Sequence, residues 1–318
     1  MKKILIVGAG AMGAAFSIPL LDNGHSVTLT EPYNLKLLQK LNLKKKIHPS
    51  LNINLPQKLK INKFSSDILN QKWDLIVIAV SSIGIDLIGK NLSKIKNKSP
   101  ILVLTKGLKL DGRNLISMSS LLKKYNKNLN ISVLKGPCLA KELAKKVKSF
   151  TVVANKNINT AKKIGKLIST NYYQTEFSRD VNGVEFLSAI KNIYSMIIGA
   201  GQWHNTSSAL FRKSIDEMKY LANYFKGKKE TVYGLAGLGD LYVSAMGGRN
   251  SKMGEYLGKG YTFIQAKKKF MKNDTVEGAD LAIEIAPFVF KKINKRKVPL
   301  MISLLEAIVK NKKLKIKY

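Results

Sequence analysis

The stretch KILIVGAGAMGAAFSIPLLDNGHSVTLTE, residues 3–31, decides the fold. A short apolar run leads into Gly8, Gly10 and Gly13, spaced G-x-G-x-x-G, and then into a helical segment and a second apolar run. In that pattern Gly8 allows the tight turn, Gly10 lets the backbone approach a pyrophosphate, and Gly13 permits close packing of helix on sheet. The helix start then offers unpaired N–H groups and its positive dipole end to an anion. Glu31 closes the second strand 18 residues after Gly13, where an acidic residue accepts from the ribose hydroxyls of NAD. Taken alone, it reads equally well as an exposed glutamate before Pro32.

Further apolar runs follow: DLIVIAV (74–80), ILVLTKG (101–107), ISVLKGP (131–137), FTVVAN (150–155) and YYQTEF (172–177). Helical stretches separate them, which is the βαβ grammar of a doubly wound parallel sheet. After Asp180 strand signals fade, and helical periodicity covers 180–200, 207–226, 275–292 and 299–310. The expected class is α/β: an N-terminal Rossmann-like doubly wound sheet followed by an all-α C-terminal domain. The boundary falls near 178, giving a dinucleotide-binding domain over 1–178 and a helical substrate domain over 179–318. The tail KNKKLKIKY (310–318) reads as a solvated charge run.

Composition narrows the partners. No apolar run approaches the ~18 residues of a membrane span, so stable membrane insertion is not expected. The single cysteine, Cys138, excludes an intramolecular disulfide and suits the reducing cytoplasm. His25, His48 and His204 lack ligand spacing, so no metal site is expected. The net charge of +35 comes from 50 Lys and only 5 Arg spread over the whole chain. Lysine is accompanied by abundant Asn and Ile, a codon-composition signature, so the charge is not read as a nucleic-acid surface. It should still draw in anionic ligands.

One residue breaks the pattern of EFLSAIKNIYSMIIGAG (185–201): Lys191, in a small and apolar run. A lysine there either snorkels to the surface or meets a substrate. Its context includes TKGL (105–108), GPCLAKELAKK (136–146), DVNGVEFLSAIKN (180–192) and NTSSALFRKSIDEM (205–218). GLAGLGDLYVSAMGGRNSKMGEYLGKG (234–260) and VEGADLA (276–282) follow. In that order the motifs resemble the bacterial NAD(P)-dependent glycerol-3-phosphate dehydrogenases, from residue 1 to about 310.

The resemblance implies reversible hydride transfer between a nicotinamide cofactor and carbon 2 of dihydroxyacetone phosphate or sn-glycerol 3-phosphate, supplying phospholipid synthesis. It makes Lys191 the catalytic acid/base and Asp240 its polar partner, also touching substrate. Lys106 would contact substrate and cofactor. Gly136 and Cys138 fall on the substrate side. Arg249 and Asn250 match the phosphate-binding pair, where a guanidinium fork suits phosphate oxygens. Gly8, Gly10, Ala11, Met12, Gly13, Glu31, Ala140, Arg249 and Glu277 fall on the cofactor side. A homodimer is compatible with this reading.

Several positions depart from the family pattern. GPCL stands where Gly-Pro-Ser-Phe is usual, and Gly248 where a serine precedes the arginine. Ala11 and Met12 replace a frequent Ser-Trp, and the segments 191–205 and 244–250 are short. Two alternatives therefore stay open: a dehydrogenase of the same fold acting on another keto substrate such as ketopantoate, or a non-catalytic dinucleotide-binding protein. The cofactor is NAD or NADP. The Glu31 carboxylate favours NADH, because it would repel a 2′-phosphate, and Lys36 is the first basic residue beyond it.

Overall fold

A computed structural model describes residues 1–43, 46–95 and 98–317. The chain divides into two compact units: Met1–Lys106 with Met118–Val181, and Gly107–Ser117 with the chain from Asn182 onward.

The first unit opens with β1 (Lys3–Val7), α1 (Ala11–Asp22), β2 (Ser26–Glu31) and α2 (Leu35–Leu41). A small excursion, β3 (Ile47–His48) and β4 (Ile53–Asn54), precedes β5 (Lys60–Lys63) and α3 (Ser66–Asn70). Next come β6 (Leu75–Ile78), α4 (Ile85–Leu92) and β7 (Ile101–Val103). The chain then leaves for the second unit through β8 (Leu108–Asp111) and β9 (Asn114–Ser117). It returns with α5 (Met118–Tyr125), β10 (Ile131–Lys135), α6 (Ala140–Ala144), β11 (Ser149–Ala154), α7 (Ile158–Ile168) and β12 (Tyr173–Ser178).

Eight strands form one sheet in the order β12-β11-β10-β7-β6-β1-β2-β5. Neighbours run parallel except β10 and β11, which pair antiparallel. Ile4–Val7 and Leu75–Ile78 are all fully buried, as expected of central strands covered on both faces. Connections reverse direction at β1 and β6, and ligands of open α/β sheets collect at the carboxyl ends of such strands. Just past those ends Gly8 takes φ 110, and a Cβ there would lie 2.7 Å from the Ala79 carbonyl. A side chain is excluded by both conformation and space. On α1, a Cβ at Gly13 would lie 1.9 Å from Gly8 O, so helix and loop touch backbone to backbone.

The second unit contains the hairpin β8–β9, then α8 (Val181–Gly199), α9 (His204–Tyr224), α10 (Asp240–Ala245) and α11 (Arg249–Gly258). It ends with α12 (Phe263–Phe270), α13 (Glu277–Lys292) and α14 (Pro299–Val309). Helix α8 runs through the core, which admits neighbours at backbone distance. A Cβ at Gly254 of α11 would lie 1.9 Å from Met196 O, and one at Gly278 of α13 would lie 2.6 Å from Asn192 O.

Close to the expected boundary, the main chain passes to the second unit after Val181, and residues 107–117 group with the helices. Leu108 and Leu115 are buried in the helical core, Leu110 N–H donates to Glu284 Oε1 at 2.8 Å, and Ser117 Oγ donates to Glu185 Oε2 at 2.7 Å. The second unit is helical, as expected, and carries this two-stranded hairpin besides. The tail is not simply solvated. Leu314 and Ile316 pack on the helical core, and Lys317 N–H donates to Ser303 Oγ at 3.1 Å; Tyr318 lies outside the described residues.

The start of α14 is held by a buried carboxylate. Glu217 accepts from Leu300 N at 2.6 Å, Met301 N at 3.1 Å and the Tyr194 hydroxyl at 3.0 Å. Burial outweighs these donors and pushes the Glu217 carboxyl up to about 7. A carboxyl raised in the folded state stabilises the fold fully below its unfolded value, 4.5, and loses that contribution as pH rises through about 7. Between pH 5 and pH 8 the protein should therefore lose stability relative to Glu217→Gln, by up to about 3 kcal/mol at 1.36 kcal/mol per pKa unit. Urea unfolding of both proteins at the two pH values measures this. A constant difference would show that Glu217 does not titrate in this range.

Candidate active site

In the first unit, the loop Gly8–Gly13 joins β1 to α1. Gly10 is the residue before the helix, with φ −60, and α1 has no acidic residue in its first turn. A Cβ at Gly10 would meet nothing within 4 Å. An open cradle of backbone donors at a helix start fits a dinucleotide pyrophosphate. Ala11 and Met12 form the first turn and are half-buried.

Glu31 does not stand exposed. It is 7% exposed, and its carboxylate accepts from Ala9 N at 2.7 Å, Tyr33 N at 2.9 Å and Asn34 N at 3.1 Å. The carboxylate thus holds the glycine loop itself, a role the sequence did not suggest.

Lys106 follows the end of β7 and is half-buried. The strand end before it is fixed by Lys135, a residue absent from the expected site. Its buried ammonium donates to the carbonyls of Val103 at 3.3 Å, Leu104 at 3.2 Å and Thr105 at 2.6 Å. Thr105 Oγ1 also donates to Val80 O at 2.7 Å. Gly136 follows Lys135 with φ 122, Cys138 is half-buried, and Ala140 opens α6.

In the second unit, α8 carries Lys191 with its side chain 7% exposed, so it does not snorkel. Its ammonium lies 2.5 Å from Asp240 Oδ1 and 2.5 Å from Ser244 Oγ. Ser188 Oγ, one turn earlier on α8, donates to Asp240 Oδ2 at 3.3 Å. Burial disfavours the ammonium and the adjoining carboxylate favours it. Asp240 and Ser244 thus give the buried Lys191 Nζ polar partners in place of water.

The backbone before Asp240 explains this placement. Leu235–Gly239 form one wide π turn, in which Gly239 N donates to Gly234 O at 3.3 Å. A Cβ at Gly237 would lie 2.2 Å from Val232 O. The glycines of GLAGLGDL thus let the chain coil tightly and start α10 at Asp240, whose side chain is 3% exposed. Ser244 sits one turn later on α10. That i, i+4 spacing was the signal by which the sequence could have revealed it.

A second cluster lies at the starts of α11 and α13. Arg249 is the first residue of α11 and is more than half exposed, 3.6 Å from Glu277, the first residue of α13. Asn192, beside Lys191, reaches Glu277 Oε2 at 3.4 Å. Asn250 Oδ1 accepts from Gly278 N at 2.9 Å, so it caps α13 as well as flanking Arg249. A guanidinium beside a helix start is a phosphate-binding combination. Among the described residues no cluster of His, Cys, Asp or Glu could hold a metal ion.

The glycerol-3-phosphate dehydrogenase family models now decide the relationship. The one describing the NAD-dependent glycerol-3-phosphate dehydrogenase N-terminus matches residues 3–161, and the one for the C-terminus matches residues 180–316. The chain belongs to this family. A glycerol-3-phosphate dehydrogenase [NAD(P)+] of Fusobacterium nucleatum is 32% identical over 288 residues, covering 87% of this chain and 84% of that protein. An NADP(+)-dependent glycerol-3-phosphate dehydrogenase of Archaeoglobus fulgidus is 28% identical over 309 residues, covering 92% and 90%. The crystal structure of glycerol-3-phosphate dehydrogenase from Coxiella burnetii superposes with a TM-score of 0.85 at 24% identity, over 98% of this chain and 96% of that one. This glycerol-3-phosphate dehydrogenase family member is a dehydrogenase with a Rossmann-like unit and a helical unit, and its cofactor is NAD or NADP. No helix among the described residues is long and apolar enough to cross a membrane.

Proposed function

We propose that the protein interconverts dihydroxyacetone phosphate and sn-glycerol 3-phosphate. The buried Lys191–Asp240 pair, with Ser244 beside it, carries this reading. Gly8–Gly13, with Glu31 behind it, would hold the dinucleotide in the first unit, aided by Lys106 and Ala140; the family resemblance also assigns Arg249 and Glu277 to the cofactor. Reduced nicotinamide, when bound, supplies the hydride that reduces the carbonyl carbon. Lys191 gives the proton that the carbonyl oxygen needs as it becomes an alcohol, and the neutral amine is left between Asp240 and Ser244. In the oxidation direction Lys191 takes that proton back. The family resemblance assigns phosphate binding to Arg249 and Asn250 and further substrate contacts to Lys106, Gly136 and Cys138.

Ketopantoate is the competing substrate. Arg249 at a helix start favours the phosphorylated ketone. Following NADH absorbance with dihydroxyacetone phosphate and then with ketopantoate tests the choice, and turnover of ketopantoate alone would overturn it. The reading places the protein in the cytoplasm, supplying glycerol 3-phosphate for phospholipid synthesis. It extends to a homodimer, which sedimentation equilibrium tests.

The cofactor preference follows from Glu31. The Glu31 carboxylate at the end of β2, with three acceptor sites taken by backbone N–H groups, has about one left for a ribose hydroxyl, and its charge opposes a 2′-phosphate. NADH should be favoured over NADPH about tenfold in kcat/KM, equivalent to ~1.4 kcal/mol. Kinetics of the native enzyme with each cofactor decide this, because Glu31→Arg would also release Ala9. Better use of NADPH would overturn it.

A further inference from the structure

Both polar groups of the Ala9 main chain, inside the glycine loop, are held by buried side chains. Its N–H donates to Glu31 Oε2 at 2.7 Å, and its C=O meets His48 Nε2 at 3.0 Å. His48 is 1% exposed and comes from β3, far from the loop in sequence. Its tautomer follows from its neighbours. Leu51 N–H donates to His48 Nδ1 at 3.3 Å, so Nδ1 is the acceptor and Nε2 carries the proton given to Ala9 O. The excursion bearing His48 is anchored by Leu51 and Leu55, both buried in the core of the first unit.

We propose that His48 is a positioning residue for dinucleotide binding, acting with Glu31 as a two-sided clamp on Ala9. This rests on the reading that Gly8–Gly13 binds the cofactor. A trans peptide is planar, with C=O and N–H pointing opposite ways. Fixing the Ala9 carbonyl on His48 therefore also fixes the direction of the Gly10 N–H, a donor at the start of α1. A loop ordered before binding saves the ligand that ordering cost. His48 touches neither substrate nor cofactor; its effect passes through one peptide group.

The test is direct titration of NADH by fluorescence, with melting temperature and steady-state constants, on four variants. His48→Leu removes the donor and should weaken NADH binding about tenfold, raising KM for NADH with kcat at saturation unchanged. His48→Gln places an amide N–H near the Nε2 position and should recover binding to within about threefold of native. Leu55→Ala loosens the same core but removes neither hydrogen-bond partner of Ala9, and it should bind NADH normally. Should the leucine variant not fold, His48→Asn, whose amide is too short for Ala9 O, takes its place with the same expectation. Native-like binding by His48→Leu, no recovery by His48→Gln, or equal weakening by Leu55→Ala would each overturn the proposal. Gly10→Val separates it from the underlying reading: the fold has room for that side chain, but a pyrophosphate would not. If Gly10→Val binds NADH normally, the loop is not the cofactor site. If Gly10→Val abolishes binding and His48→Leu does not, only the role of His48 falls.

Discussion

Lys191→Ala is expected to lower kcat for dihydroxyacetone phosphate reduction by about a hundredfold or more, with NADH binding nearly intact. Lys191 is the buried cation of the second unit's polar cluster, paired with Asp240 and Ser244 at 2.5 Å each. Removing it also leaves the Asp240 carboxylate buried without its cation, which costs about 3–5 kcal/mol in comparable buried pairs. Lost activity alone would therefore be ambiguous. Lys191→Arg resolves the ambiguity, because a guanidinium keeps the charge but does not give up its proton near neutral pH. The arginine variant should melt closer to the native temperature than the alanine variant while remaining comparably inactive. An active Lys191→Arg enzyme would show that Lys191 supplies charge and not the transferred proton.

The route from sequence to this site was uneven, for physical reasons. The sheet was legible because its central strands are continuous apolar runs and because Gly8 and Gly13 mark places where backbones touch. Helices α8, α9, α13 and α14 were legible from their 3.6-residue periodicity. Helices α10 to α12 were not, because at six, ten and eight residues they offer too few turns for a period to stand out. Lys191 stood out by contrast with its neighbours. Its carboxylate partner lies 49 residues away, and only folding brings it there. Lys135 and His48 were invisible for the converse reason. A lysine among 50 and an isolated histidine carry no pattern, and their meaning lies in the carbonyls they meet. The hairpin at 107–117 read as part of the first domain because it is contiguous with β7. Its leucines were committed to the other core.

Arg249→Ala should raise KM for dihydroxyacetone phosphate by about thirty- to a hundredfold. That range corresponds to the ~2–3 kcal/mol expected for a charge-assisted hydrogen bond to an anion. Arg249→Lys should recover only part of the loss, because a point charge replaces the planar fork that engages two phosphate oxygens. The side chain is more than half exposed and 3.6 Å from Glu277, so its present ion pair is weak and readily exchanged for a phosphate. The start of α11 adds its own backbone donors at the same end. Unphosphorylated dihydroxyacetone, which offers nothing to the guanidinium, should turn over poorly but equally in native and variant enzymes. Raising ionic strength should weaken phosphate recognition in the native enzyme more than in Arg249→Ala, since screening acts on the charge the variant lacks. KM values for both ketones at two salt concentrations measure all of this. Equal effects of the substitution on the two ketones would mean that Arg249 does not read the phosphate, and the substrate assignment would lose its main support in the second unit.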